Sequence, residues 1–87
     1  VRKIIRVDLD VGMNVPISVA KGAVLLHVGW RNGPAMYFQV DTEKEVVQRQ
    51  VNWYRNEDPL PAKVGNYLGT VTAPETLITY HAFEVRP

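Results

Sequence analysis

The fold turns on the stretch Ala23-Val24-Leu25-Leu26-His27-Val28-Gly29-Trp30-Arg31-Asn32-Gly33-Pro34-Ala35-Met36-Tyr37-Phe38-Gln39-Val40. Two runs of strand-favouring residues flank Arg31-Asn32-Gly33, and an Asn-Gly pair in that setting is a hairpin signal. The loop length then sets the register. A two-residue loop would place Val28 opposite Tyr37 and Leu26 opposite Gln39, mixing apolar with polar partners. A three-residue loop places Trp30 opposite Pro34, Val28 opposite Met36, Leu26 opposite Phe38 and Val24 opposite Val40. That register gathers every large apolar residue except Leu25 and Tyr37 on one face, and it is the expected one. Gly33 then takes the left-handed position of a type I turn with a G1 bulge, where a residue without Cβ is favoured. The other face carries Leu25, His27, Gly29, Tyr37 and Gln39, a mixed surface suited to contact.

Outward from the hairpin, apolar and polar residues keep alternating with the period of two that marks half-buried strands. In Lys3 to Leu9, Ile5, Val7 and Leu9 share one face, with Ile4, Arg6 and Asp8 on the other. Val11, Met13, Val15, Ile17 and Val19 then point one way, and because proline cannot donate to a ladder, Pro16 makes this strand either an edge or one broken near Gly12 and Pro16. Glu45 to Tyr54 reads as a long strand with Val47, Val51 and Trp53 on one side and the wetter Val46, Gln48, Gln50, Asn52 and Tyr54 on the other. Asn56, Glu57, Asp58, Pro59, Pro61 and Gly65 make Arg55 to Gly65 a loop, long for a small domain and of the kind that often binds. Tyr67 to Thr72 and Leu77 to Val85 complete the set around Ala73-Pro74-Glu75-Thr76. Asp41 to Arg49 is the best helix candidate, and it is short and β-branched.

These 87 residues suffice for one core, so one β-rich domain over residues 1–87 is expected. The fold class is all-β and mainly antiparallel: a small β-sandwich or partly open barrel of six to seven short strands with little or no helix. A domain of this size leaves about 40% of its unfolded-chain surface uncovered, so self-association or docking would stabilise it.

The chemistry-bearing residues are sparse. Without cysteine there is no disulfide, no thiol nucleophile and no Cys-based zinc site. His27 and His81 each stand alone on a strand, which favours a packed or hydrogen-bonded histidine over a metal ligand. Ser18, the only serine, has no turn around it to activate it. Asp8 with Asp10, and Glu57 with Asp58, lack the ligand count of a calcium loop. The six glycines form no phosphate cradle. No catalytic residue, metal or cofactor is therefore expected, and the chain reads as a non-enzyme. A net charge of +1 argues against nucleic acid, although Arg49, Tyr54 and Arg55 could in principle stack a single strand. The basic start Val1 to Arg6 is not followed by the apolar run of a signal peptide or a membrane span, so a soluble protein without signal-driven secretion is expected.

Lys21-Gly22-Ala23-Val24-Leu25-Leu26-His27-Val28, then Asn32-Gly33-Pro34 and Val40-Asp41, then Pro59-Leu60-Pro61, Tyr67-Leu68-Gly69-Thr70-Val71 and His81-Ala82-Phe83-Glu84, together resemble a family of small bacteriophage-encoded proteins of unknown function. The likeness spans nearly the whole chain. It departs at Tyr54-Arg55-Asn56-Glu57-Asp58, which replaces a glycine- and histidine-containing approach to the proline loop. The resemblance implies phage origin and no activity. With it, the expected function is protein binding, as a capsid decoration or minor capsid protein on a coat lattice. The alternative is an early protein that occupies a host protein. The expected location is the virion or the host cytoplasm. The residues expected at the contact are Tyr37 and Gln39 on the hairpin, Glu57, Asp58 and Leu60 in the long loop, and Tyr67 beyond it.

Overall fold

The computed structural model describes residues 1–85. Seven strands follow in chain order: β1 (Arg2–Asp8), β2 (Val15–Ala20), β3 (Val24–Trp30), β4 (Pro34–Asp41), β5 (Val46–Arg55), β6 (Asn66–Thr72) and β7 (Thr79–Val85). They pair antiparallel into a three-stranded sheet, β1-β4-β3, and a four-stranded sheet, β2-β5-β7-β6. No helix forms among the described residues, and the all-β, antiparallel expectation holds.

The alternation predicted for β1 holds: Ile5, Val7 and Leu9 pack on the core while Ile4 is 65% exposed. In β2, Ile17 and Val19 are buried, and Pro16 stands on an edge strand, as its missing N–H requires. The inner faces of the two sheets form one cluster, with Met36 and Phe38 from β4 meeting Val51 and Trp53 from β5 and Ala82 from β7. Met36 and Phe38 are fully buried, and each such side chain contributes roughly 1.5–3 kcal/mol. Trp30 stacks on Tyr80 across the sheets, with ring centroids 6.1 Å apart.

The hairpin follows the expected register only near its turn. Trp30 pairs with Pro34, Gly29 with Ala35 and Val28 with Met36, and then a bulge at Leu26 shifts the strand by one. Beyond it Leu25 faces Phe38 and Val24 faces Gln39, so the expected Leu26–Phe38 and Val24–Val40 pairs do not form. Leu25, expected outside, packs on the core, while Leu26 and Val24 are 49% and 55% exposed. One extra residue reverses the phase of everything after it. The adjacent Leu25-Leu26 pair made either phase look equally apolar.

The turn differs too. Asn32 adopts the left-handed conformation, φ 55°, and Gly33 lies at φ 134°, a region open essentially to glycine. Gly33 is therefore required by the turn, but the left-handed site expected for it belongs to Asn32. The Arg31 N–H donates to the Gly33 carbonyl at 2.7 Å.

Arg49 points inward from β5 between Val47 and Val51. Its Nε and Nη2 donate to the two Glu84 carboxylate oxygens, each at 2.6 Å, Nη1 donates to the Ala23 carbonyl at 3.0 Å, and the guanidinium lies 5.3 Å from the Phe38 ring centroid. The hydrogen bond to Glu84 holds the Arg49 pKa above its ordinary value. This pair ties β5 to β7 at the rim of the core, and the Ala23 carbonyl links it to the start of β3.

Candidate functional site

In the four-stranded sheet, Val51 and Trp53 of β5, Ala82 of β7 and Val71 of β6 face the core. Period two then turns Asn52 and Tyr54, His81 and Phe83, and Tyr67 and Thr70 to the outside. The pairing sets Phe83 beside Asn52 and Tyr67, and His81 beside Tyr54 and Thr70. A second bulge, at Leu68, brings Tyr67 and Thr70 to this face together by absorbing one residue between them.

The result is an aromatic group joined to a polar chain. The Phe83 ring lies 5.8 Å from Tyr54, edge on, and 5.5 Å from Tyr67. The Tyr67 hydroxyl lies 2.5 Å from Thr70 Oγ1, which lies 2.9 Å from His81 Nδ1, and His81 Nε2 lies 2.7 Å from Asn56 Oδ1. An amide oxygen only accepts, so Nε2 carries the proton. In the neutral imidazole Nδ1 accepts from Thr70, and Thr70 accepts from Tyr67. In that form the donor order is Tyr67, Thr70, His81, Asn56.

The hydroxyl, imidazole and amide have the order of a nucleophile, a base and its orienting group. Thr70, however, lies on a regular strand and not on the sharp turn or helix start that aims paired N–H groups at an oxyanion. Among the described residues no three His, Cys, Asp or Glu side chains converge as a metal site needs. The chemistry this face offers is aromatic contact and hydrogen bonding.

The connection from β5 to β6 has a topological reason for its length. These strands run parallel with β7 between them, because each is antiparallel to β7. The chain must return from the Arg55–Tyr80 end to the Asn66–Glu84 end, a distance of ~13 Å at ~3.3 Å per residue, and cross β7 as well. Asn56, bonded to His81, starts this crossing on the outer face, and Gly65 ends it against the Glu84 carbonyl. Tyr54, expected on a wetter face, is only 6% exposed, since Phe83 packs on it in a T-shaped pair and the crossing begins directly after it.

The six expected contact residues fall into two groups. Tyr67 belongs to the outer face just described and is 59% exposed. Leu60, 56% exposed, Glu57 and Asp58 lie in the β5–β6 connection. Glu57 is a left-handed turn residue, φ 71°, and Asp58 Oδ2 accepts from the Arg55 N–H at 2.8 Å, so Asp58 closes the turn that starts the connection. Tyr37 and Gln39 lie instead on the outer face of the three-stranded sheet. There Tyr37 sits between Arg6 and His27, with its ring 6.0 Å from that of His27, and Gln39 sits between Ile4 and Val24. The core separates the two groups. The sequence reading expects a hydrogen-bonded histidine at His81 and a contact loop around Asn56, but it names none of His81, Thr70, Asn56 and Phe83 among the contact residues. Only the alternation of His81 and Phe83 hinted at them, and their grouping depends on the Leu68 bulge.

No curated protein matches the chain, and no solved structure does. A family model does match, over residues 1–87. The chain belongs to the family described as Domain of unknown function (DUF7352).

Proposed function

We propose that the domain is a non-catalytic protein-binding module and that it docks through the outer face of the four-stranded sheet. The observation that carries this reading is Tyr67. Its ring is 59% exposed and rests against Phe83, and its hydroxyl is tied through Thr70 to His81. An aromatic side chain held in place before contact loses little freedom on binding, which is what favours tyrosine as an interface anchor. Leu60, on the connection anchored by Asn56, adds exposed apolar surface.

With the phage origin that the resemblance implies, the partner we favour is a coat protein, with the domain a virion component such as a capsid decoration or minor capsid protein. The test is mass spectrometry of particles purified from the phage that encodes the chain. The domain is expected at a fixed, high copy number, and Tyr67→Ser is expected to leave the domain folded, at a loss of about 1 kcal/mol for the Phe83 contact, while reducing incorporation. Absence from particles, or recovery of a host protein alone from infected cells, sinks the virion reading. Unchanged incorporation of Tyr67→Ser sinks this face as the docking surface.

A further inference from the structure

The two sheets end in four edge strands, β1 and β3 in one and β2 and β6 in the other. Exposed edges invite pairing with another chain, and three of these four are blunted. β2 contains Pro16, β3 is bulged at Leu26, and β6 is bulged at Leu68. β1 pairs along all seven of its residues without a shift, as β2 does along its six, but unlike β2 it contains no proline. β2 pairs with β5 alone, so no strand covers the free edge of β1.

We propose that β1 pairs antiparallel with β1 of a second copy about a two-fold axis through Ile5, joining two three-stranded sheets into one of six strands. The direction of the free backbone groups comes first. The Thr42 N–H donates to the Val1 carbonyl at 2.8 Å, and the Leu9 N–H donates to the Pro34 carbonyl at 3.2 Å. Val1 and Leu9 thus bond toward β4, and in an antiparallel ladder every second residue does the same. The N–H and C=O groups of Arg2, Ile4, Arg6 and Asp8 therefore point to the free edge. An antiparallel copy must set even-numbered residues opposite even-numbered ones.

Charge then selects among the registers that remain. An axis through Ile4 sets Arg2 opposite Arg6, and an axis through Arg6 sets Arg6 opposite itself. Like charges directly opposite destabilise a sheet pair. With the axis through Ile5, Arg2 faces Asp8 of the second copy, and Asp8 faces the second Arg2. Ile4 lies along the stem of the second Arg6, and Ile5 meets Ile5. The exposed Ile4 and the half-buried Ile5 are both covered by this arrangement. An axis through Val7 also sets Arg6 opposite Asp8, but it pairs only residues 6–8, so the register through Ile5 is the one that joins all seven residues without opposing like charges. The association uses the three-stranded sheet, so it stands or falls separately from docking through the other.

Sedimentation of the purified protein over a range of concentrations is the test, with a reversible dimer as the expected result. Ile4→Pro removes an N–H that faces the free edge and none that bonds to β4, so it is expected to keep the melting temperature and abolish the dimer. Asp8→Arg is expected to weaken association about tenfold by setting arginine opposite Arg2. Adding Arg2→Asp is expected to restore it. That rescue separates the cross-copy pair from the Arg6–Asp8 ion pair within one chain, at 3.2 Å. A wild-type protein monomeric at every concentration overturns the proposal, and so does a dimer indifferent to both Ile4→Pro and the charge swap.

Discussion

Gly69 of β6 lies against Val28 of β3 with no room for a methyl group between them: a Cβ at Gly69 would stand 2.8 Å from Val28 Cγ2. Here β3 of one sheet packs against β6 of the other, and each of the two strands carries a bulge nearby, at Leu26 and Leu68. Bulges bend and twist an edge strand, which lets β3 and β6 lean together and close one side of the sandwich.

Gly69→Ala is expected to destabilise the protein by about 1–3 kcal/mol through overpacking against a stiff, buried valine. Gly12→Ala, whose new methyl would find its nearest neighbour at 3.6 Å, is expected to be near neutral. Urea denaturation of the pair measures the difference. Combining Gly69→Ala with Val28→Ala should cost less than the sum of the two changes.

Arg49→Met leaves the mostly buried Glu84 carboxylate without its bidentate partner and is expected to cost about 2–3 kcal/mol, discounted for the remaining solvent access at the rim. Replacing both, Arg49→Met with Glu84→Leu, should recover much of that loss, because an apolar pair leaves no lone charge. A double variant less stable than Arg49→Met alone would show that a lone Glu84 carboxylate is not what the single change costs.

At the hairpin tip, Gly33→Val is expected to cost about 1–3 kcal/mol, since φ 134° strains any side chain. Asn32→Gly should be nearly silent, because glycine accepts the left-handed conformation that asparagine already holds. Melting temperatures that fall equally for both variants would contradict this turn.

The buried Tyr54 hydroxyl has no hydrogen-bond partner among the described residues. Tyr54→Phe is therefore expected to leave stability unchanged or raise it by up to about 1 kcal/mol. A loss of more than that, read from thermal unfolding, would mean that the hydroxyl is satisfied in solution.

Much of the fold is legible in the residues one at a time. Ile5, Val7 and Leu9 announce the buried face of β1, Pro16 announces an edge, and Asn32-Gly33 announces the hairpin with its three-residue loop. The candidate site is far less legible. Thr70 and His81 meet across a ladder, and Asn56 reaches His81 from 25 positions away. Neither meeting has a local signature. The long loop was visible as a cluster of breakers, but its length reflects a crossing over β7, which no composition reveals.

The alternation of side chains by itself determined the strands, their antiparallel class and the register beside the turn, because period two and turn chemistry act over a few residues. The tertiary structure alone decided which sheet each strand joined, which of Leu25 and Leu26 turned inward, and that Tyr37 and Tyr67 would look away from each other. A bulge reverses the phase of every later side chain. The two bulges, at Leu26 and Leu68, lie beside the contact of Gly69 with Val28, which the chain makes only once it is folded.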